Sequence, residues 1–212
     1  MPPKKGSKYK IPQKRRRKLK RKPIQLATHV FVRKMARKEI DLTGTATFVD
    51  YQGLRNTKIS DVLDVTDFSN LFEQYKINKV KITFRWMLNS GAAGATSPGA
   101  GYISGPLVNI IQNRYAMDHA GTQTEFQSKA KNIQIRLTPY GSKTYTYTPN
   151  ILAEGYRTAT STGYSPKYNT WINFDDLAVP HFGLDCGVDN MNVFQGKISV
   201  DVEVCFSCKG ME

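Results

Sequence analysis

Twelve lysines and arginines fall within the first 27 residues, and no aspartate or glutamate accompanies them. A segment of that composition cannot fold by itself, because too little apolar surface stands against the entropy of ordering the chain. The fold must therefore be built from residues 28–212. There nineteen Lys and Arg meet seventeen Asp and Glu, so only +2 of the formal +14 belongs to the remainder. The arm's bases are Lys4, Lys5, Lys8, Lys10, Lys14, Arg15, Arg16, Arg17, Lys18, Lys20, Arg21 and Lys22. A polybasic arm without structure is an electrostatic ligand for a polyanion. Eight of the nine positions from Lys14 to Lys22 are basic, interrupted only by Leu19. That density suits nucleic-acid contact and also a nuclear import signal. Such residues read phosphates rather than base sequence.

Several classes are disfavoured. No apolar run approaches the ~20 residues of a membrane span, so membrane insertion is not expected. The charged N-terminus lacks a following hydrophobic stretch, unlike a secretory signal, and Pro2, Pro3, Pro12 and Pro23 would break an amphipathic presequence helix. Three cysteines argue against a disulfide scaffold and for a reducing, intracellular origin. Cys205 and Cys208 make a lone C-x-x-C inside an alternating strand pattern, which sends the two to opposite faces. Cys186, His29, His119 and His181 could join them only through the fold, so no metal or other cofactor is expected. No G-x-x-x-x-G-K-[ST], G-x-S-x-G or H-E-x-x-H occurs, and His119 beside Asp118 has no nucleophile context. The chain is not read as an enzyme.

The remainder reads as strands. Val30, Phe31 and Val32 open the first, and Arg33, Lys34, Arg37 and Lys38 carry the basic region into the body as further candidate nucleic-acid contacts. Thr43, Thr45 and Thr47 alternate with Gly44, Ala46 and Phe48. In residues 61–75, Phe68, Leu71, Phe72 and Tyr75 fall at i, i+3, i+4 and i+7, which predicts a helix of about two turns with Asp67 as N-cap. Val80, Ile82, Phe84 and Trp86 then alternate with Lys79, Lys81, Thr83 and Arg85, one face apolar and the other basic. Those bases could touch a polyanion or form ion pairs with a neighbouring chain. Residues 89–106 are a Gly/Ala/Ser-rich loop. Leu107–Ile111, Ile133–Leu137, Tyr145–Tyr147 and Pro180–Cys186 supply shorter strands, and Thr122–Ser128 a turn or short helix. Pro149–Tyr168 reads as irregular. Ile198, Val200, Val202, Val204 and Phe206 form the cleanest strand of all. Trp86 and Trp171 are read as core or interface anchors rather than base-stacking platforms.

About eight strands, two short helices and long uneven loops suit an all-β fold, an eight-stranded antiparallel jelly-roll sandwich. The expected division is a disordered basic arm over 1–27 and a jelly-roll domain over 28–212.

A basic arm joined to a β-sandwich is the plan of many small capsid proteins. Asp61-Val62, then Phe68-x-x-Leu71-Phe72-Glu73-Gln74-Tyr75-Lys76-Ile77, then Val80-Lys81-Ile82-Thr83-Phe84, resembles the segment joining the first two strands in capsid proteins of small circular Rep-encoding single-stranded DNA viruses, the circoviruses and their relatives. Arm, joining segment and last strand cover about half the chain. The resemblance implies a virion protein that self-assembles, in about sixty copies with T=1 icosahedral symmetry, around a circular single-stranded DNA genome. It also implies entry to the host nucleus with host nuclear import receptors as partners; the attachment factor is left unknown. Two other readings stay open: a satellite RNA virus coat protein, and a monomeric ribosomal or chromatin-like protein with a basic tail.

Overall fold

A computed structural model of the chain describes residues 27–42, 47–87, 105–115, 119–139, 141–158, 160–190 and 196–211. The first half holds β1 (His29–Lys34), β2 (Lys38–Asp41), β3 (Phe48–Tyr51), β4 (Asn56–Thr57), α1 (Val65–Ser69), β5 (Phe72–Met87), β6 (Leu107–Ile111) and α2 (Gln123–Ser128). The second holds β7 (Ile133–Arg136), β8 (Ser142–Tyr147), β9 (Asn150–Arg157), β10 (Thr162–Tyr168), β11 (Ile172–Asn173), β12 (His181–Phe182), β13 (Asp185–Asp189) and β14 (Lys197–Met211).

β1 and β2 act as one interrupted strand, since both pair with β14. Taken so, the first sheet runs β1/β2–β14–β5–β8, and the second runs β3–β13–β6–β7. All pairings are antiparallel. The last long strand thus sits between the first and third, and consecutive sandwich strands alternate between the two layers except β6 and β7, which pair within the second. This is the jelly-roll arrangement, with eight strands in the sandwich itself. β11 extends the first sheet along β5, while β4, β12, β9 and β10 form a small third sheet.

Period-two alternation selects the buried face. Val80, Ile82, Phe84 and Trp86 of β5 meet Val200, Val202, Val204 and Phe206 of β14 on the inner side of the first sheet, all buried. Val108 and Ile110 of β6 with Cys186 and Val188 of β13 supply the facing layer. A slip of one residue would put every one of these on the solvent side.

Two local expectations are corrected. The helix near residue 67 is five residues long, begins after Asp64, whose φ is 63°, and holds Asp67 in its first turn rather than at its cap. Phe72 and Tyr75 belong to β5, because the ladder with β14 runs on to Phe72 opposite Met211. Phe68, Phe72 and Tyr75 are buried as helical spacing required, but Leu71 is 54% exposed. The stretch Pro149–Tyr168 is the β9–β10 hairpin, paired from Asn150 opposite Tyr168 to Arg157 opposite Thr162 with a bulge at Gly163/Tyr164. Both faces of its outer strand are largely solvated, so no apolar alternation marks it, and Pro166 lies on the edge strand where a missing N–H is tolerated. Of the Thr43–Phe48 alternation, residues 43–46 lie outside the described residues, and β3 starts at Phe48. The 89–106 loop lies outside them except at residues 105 and 106. The turn expected at Thr122–Ser128 is α2, closed by a capping box between Thr122 and Glu125.

His181 is buried where β12 joins the third sheet, with its Nδ1 3.1 Å from the Val179 carbonyl oxygen. Burial pulls its pKa down to about 4. The unfolded chain takes up a proton near pH 6.5 that the fold refuses. Stability is therefore full above that pH and falls as the pH drops toward 4, by on the order of 3 kcal/mol. Denaturant titrations of the wild type and His181→Gln at pH 7 and 4.5 should show the wild type losing this increment and the variant not.

Candidate nucleic-acid interface

The same alternation that buries one face of the first sheet sets the other. Lys79, Lys81, Thr83 and Arg85 of β5 lie beside Asp201, Glu203 and Cys205 of β14. Lys34 of β1 stands opposite Glu203. Lys81 Nζ reaches Glu203 at 2.8 Å, while Asp201 takes both Arg37 Nε at 3.0 Å and Arg85 Nε at 3.8 Å. Lys197 and Glu39 close a further pair at 2.9 Å. Such exposed pairs are each worth about 0–1 kcal/mol, but they neutralise charge locally.

The basic residues beyond the arm therefore divide. Arg37 is paired, and Lys38 donates from Nζ to the Gly53 carbonyl at 2.6 Å, which commits it to the chain's own loop. Arg33 lies 5.1 Å from the centre of the Phe68 ring, on the side of the sheet that α1 covers. Arg37 alone of the four is ion-paired, and Lys34 makes neither an ion pair, a side-chain hydrogen bond nor a ring contact among the described residues. Lys81 and Arg85 pair within their own sheet, whereas Lys79 has no such partner among the described residues. Lys4 to Lys22, the arm's bases, lie outside the described residues.

Two residues that the alternation of 79–86 did not reach complete this face. Lys76 and Lys209 stand outward on β5 and β14, opposite Ser207 and Gln74. Both point at Trp171, with their Nζ atoms 4.9 and 4.5 Å from its ring centre. Extending the alternation back from Lys79 would have put Ile77 and Tyr75 on this face; the bulge at Cys205/Phe206 in the β5–β14 ladder places Lys76 there instead. The meeting with Trp171 depends on β11 pairing with β5 across 97 residues (Ile172 opposite Tyr75), which no local signal carries. Trp86, in contrast, is a core anchor, 1% exposed.

At the second sheet the chain builds a polar knot. Asp185, 2% exposed, takes His119 Nδ1 at 2.7 Å, Asn113 Nδ2 at 2.9 Å and Arg55 Nε at 3.5 Å. Arg55 also meets Asp50 at 2.8 Å. An open cavity of about 490 Å³ beside it is lined in part by Arg114, Lys129, Lys131 and Asp185. The cysteines stay apart: Cys186 and Cys208 are buried, burial raising the Cys186 thiol and taking Cys208 up to about 12, and Cys205 faces outward. Among the described residues no cluster of three or more His, Cys, Asp or Glu gathers around a metal-sized space.

A two-layer sandwich with this strand order, one layer bearing a basic outward face next to the root of a polybasic arm, defines a viral jelly-roll capsid subunit. The circovirus capsid protein family model matches residues 4–212, and the chain belongs to that family. No curated protein matches the sequence significantly. Among solved structures, the 60-mer BFDV capsid protein is similar with a TM-score of 0.56 and 14% identity, over 88% of this chain and 95% of that one. The decameric BFDV capsid protein gives 0.49 and 14%, over 87% and 100%. The Melon necrotic spot virus structure gives 0.49 and 13%, over 88% of this chain and 56% of that one. The protein is thus a structural component of a virion.

Proposed function

We propose that the protein assembles into a closed icosahedral shell of sixty copies and packages circular single-stranded DNA through its basic arm. The observation that carries this reading is the partition of charge. Twelve bases precede a body that is almost neutral, and the sheet to which the arm is joined carries Lys34, Lys76, Lys79 and Lys209 with no carboxylate in ion-pair reach among the described residues. The sixty-copy number is supported by the fold shared with the 60-mer BFDV capsid protein. Sixty arms of twelve bases carry about 720 positive charges, which offset on the order of 700 nucleotides at one charge each. The arm is a separate unit of residues 1–27, and Lys14–Lys22 doubles as the signal that host nuclear import receptors read, taking the protein to the nucleus.

Electron microscopy of the purified chain, with sequencing of nuclease-protected nucleic acid, tests this. Closed shells of uniform diameter that protect circular single-stranded DNA are expected. A 24 kDa monomer, or particles that protect only RNA, would overturn it.

A further inference from the structure

We propose that Trp171, with Lys76 and Lys209, forms a stacking platform that holds one base of single-stranded nucleic acid against the outward face of the first sheet. This rests on the nucleic-acid reading above and specifies where the folded body takes part.

Three observations converge. Trp171 precedes β11, and the register of Ile172 with buried Tyr75 turns the indole to the side opposite the core, beside Lys76. It is half-buried, so part of the ring meets solvent. Two ammonium groups approach that one ring, at 4.9 and 4.5 Å from its centre. Like charges brought together repel, and no carboxylate lies within ion-pair reach of either among the described residues. Two converging, uncompensated cations make a seat for a phosphate, and an indole beside them makes a seat for the attached base. The rim is polar in the same sense: Gln74 donates to Asn173 at 3.1 Å and Asn78 to Ser207 at 2.7 Å, all short neutral groups suited to bases and sugars.

The position in the sheet supplies the third observation. His29 pairs with Cys208, Cys208 with Tyr75, and Tyr75 with Ile172, so one transverse row crosses four strands from the root of the arm to the residue after Trp171. Three strand spacings of about 4.8 Å place the two ends roughly 14 Å apart. That is a span of two or three nucleotides. A strand gripped by the arm is delivered to the platform, and Lys79, three residues along β5 beyond the bulge, continues the path.

The alternative role for Trp171 is a clip that fastens the β10–β11 connection to the sheet through its two cation–π contacts. Stacking and clipping differ in what they demand of the ligand. A platform distinguishes a base-bearing strand from an abasic one of equal charge; a clip does not.

The test uses the full chain, kept unassembled, with (dT)20 and an abasic 20-mer of the same phosphate number as probes. Wild type should bind (dT)20 about 5–20-fold more tightly than the abasic strand, as expected for one stacked base. (dT)20 should also quench tryptophan emission. Trp171→Phe should keep the preference and lose the quench, which assigns the quench to this indole rather than to Trp86. Trp171→Ala should lose the preference, and Lys76→Gln with Lys209→Gln should lower the salt dependence of binding by about 1.4 in log–log slope. If Trp171→Ala unfolds the chain, the preference and quench in wild type and Trp171→Phe decide alone. An unchanged preference in Trp171→Ala, or a wild type with neither preference nor quench, overturns the platform and leaves arm-driven packaging standing. Absence of salt-sensitive binding to either probe overturns the packaging reading itself.

Discussion

Deletion of residues 1–27 strips the chain of most of its nucleic-acid affinity and leaves the sandwich folded. The arm's twelve bases, each displacing a counterion from a single strand, give a slope of about −8 in log affinity against log salt. Without it, the unpaired Lys34, Lys76, Lys79 and Lys209 can supply a slope of no more than about −3. At 50 mM salt the difference is several orders of magnitude, and it closes as salt rises. Anisotropy titrations of a labelled single strand at a series of salt concentrations give both slopes. Circular dichroism of the deletion variant should show an unchanged β spectrum, because the described ladders begin at His29. Loss of the folded state on deletion would refute the separation of arm from body, and equal slopes would refute phosphate contact by the arm.

The second large effect is at Asp185. Its carboxylate is the point where His119 and Asn113, both on the connection between β6 and α2, meet Arg55 from the turn before β4. Asp185→Ala leaves Arg55 with Asp50 as its one acidic partner and removes the acceptor that orients both His119 and Asn113. Breaking a buried pair from one side costs about 3–5 kcal/mol, and the retained Asp50 contact keeps this case near the lower figure. For a body of this size that lowers Tm by roughly 6–12 °C. Calorimetry of the unassembled variant checks it. Asp185→Asn, which keeps the shape and one acceptor, should lose less than half as much. A variant that melts with the wild type would show that the knot is incidental to stability.

These residues also mark how far the sequence could be read. The sandwich was legible because its central strands alternate: Val80 to Trp86 and Ile198 to Phe206 announce both a strand and its buried face. The charge of residues 1–27 was legible because a run of bases needs no partner to be seen. The helix near Phe68 was overextended since four residues at helical spacing also suit a short helix running into a strand, and only the far partner β14 decides between them. The β9–β10 hairpin was missed because its outer strand is largely solvated and shows no apolar alternation. Asp185, Arg55 and His119 lie 130 residues apart at the extremes, and Trp171 lies 95 from Lys76, so both groupings exist only through topology. The bases at Lys81 and Arg85, open to DNA or a neighbouring subunit on sequence, turn out to have carboxylates on the adjacent strand.

The strand order has a consequence for biosynthesis. β14 lies between β1 and β5, yet it follows every other strand in the sequence, and its first pairing joins residues 29 and 208. A nascent chain therefore carries two sheet edges with nothing between them until almost all of it has left the ribosome, and closing such distant contacts is slow. Exposed edges of that kind, waiting for a late partner, are where chaperones would be needed.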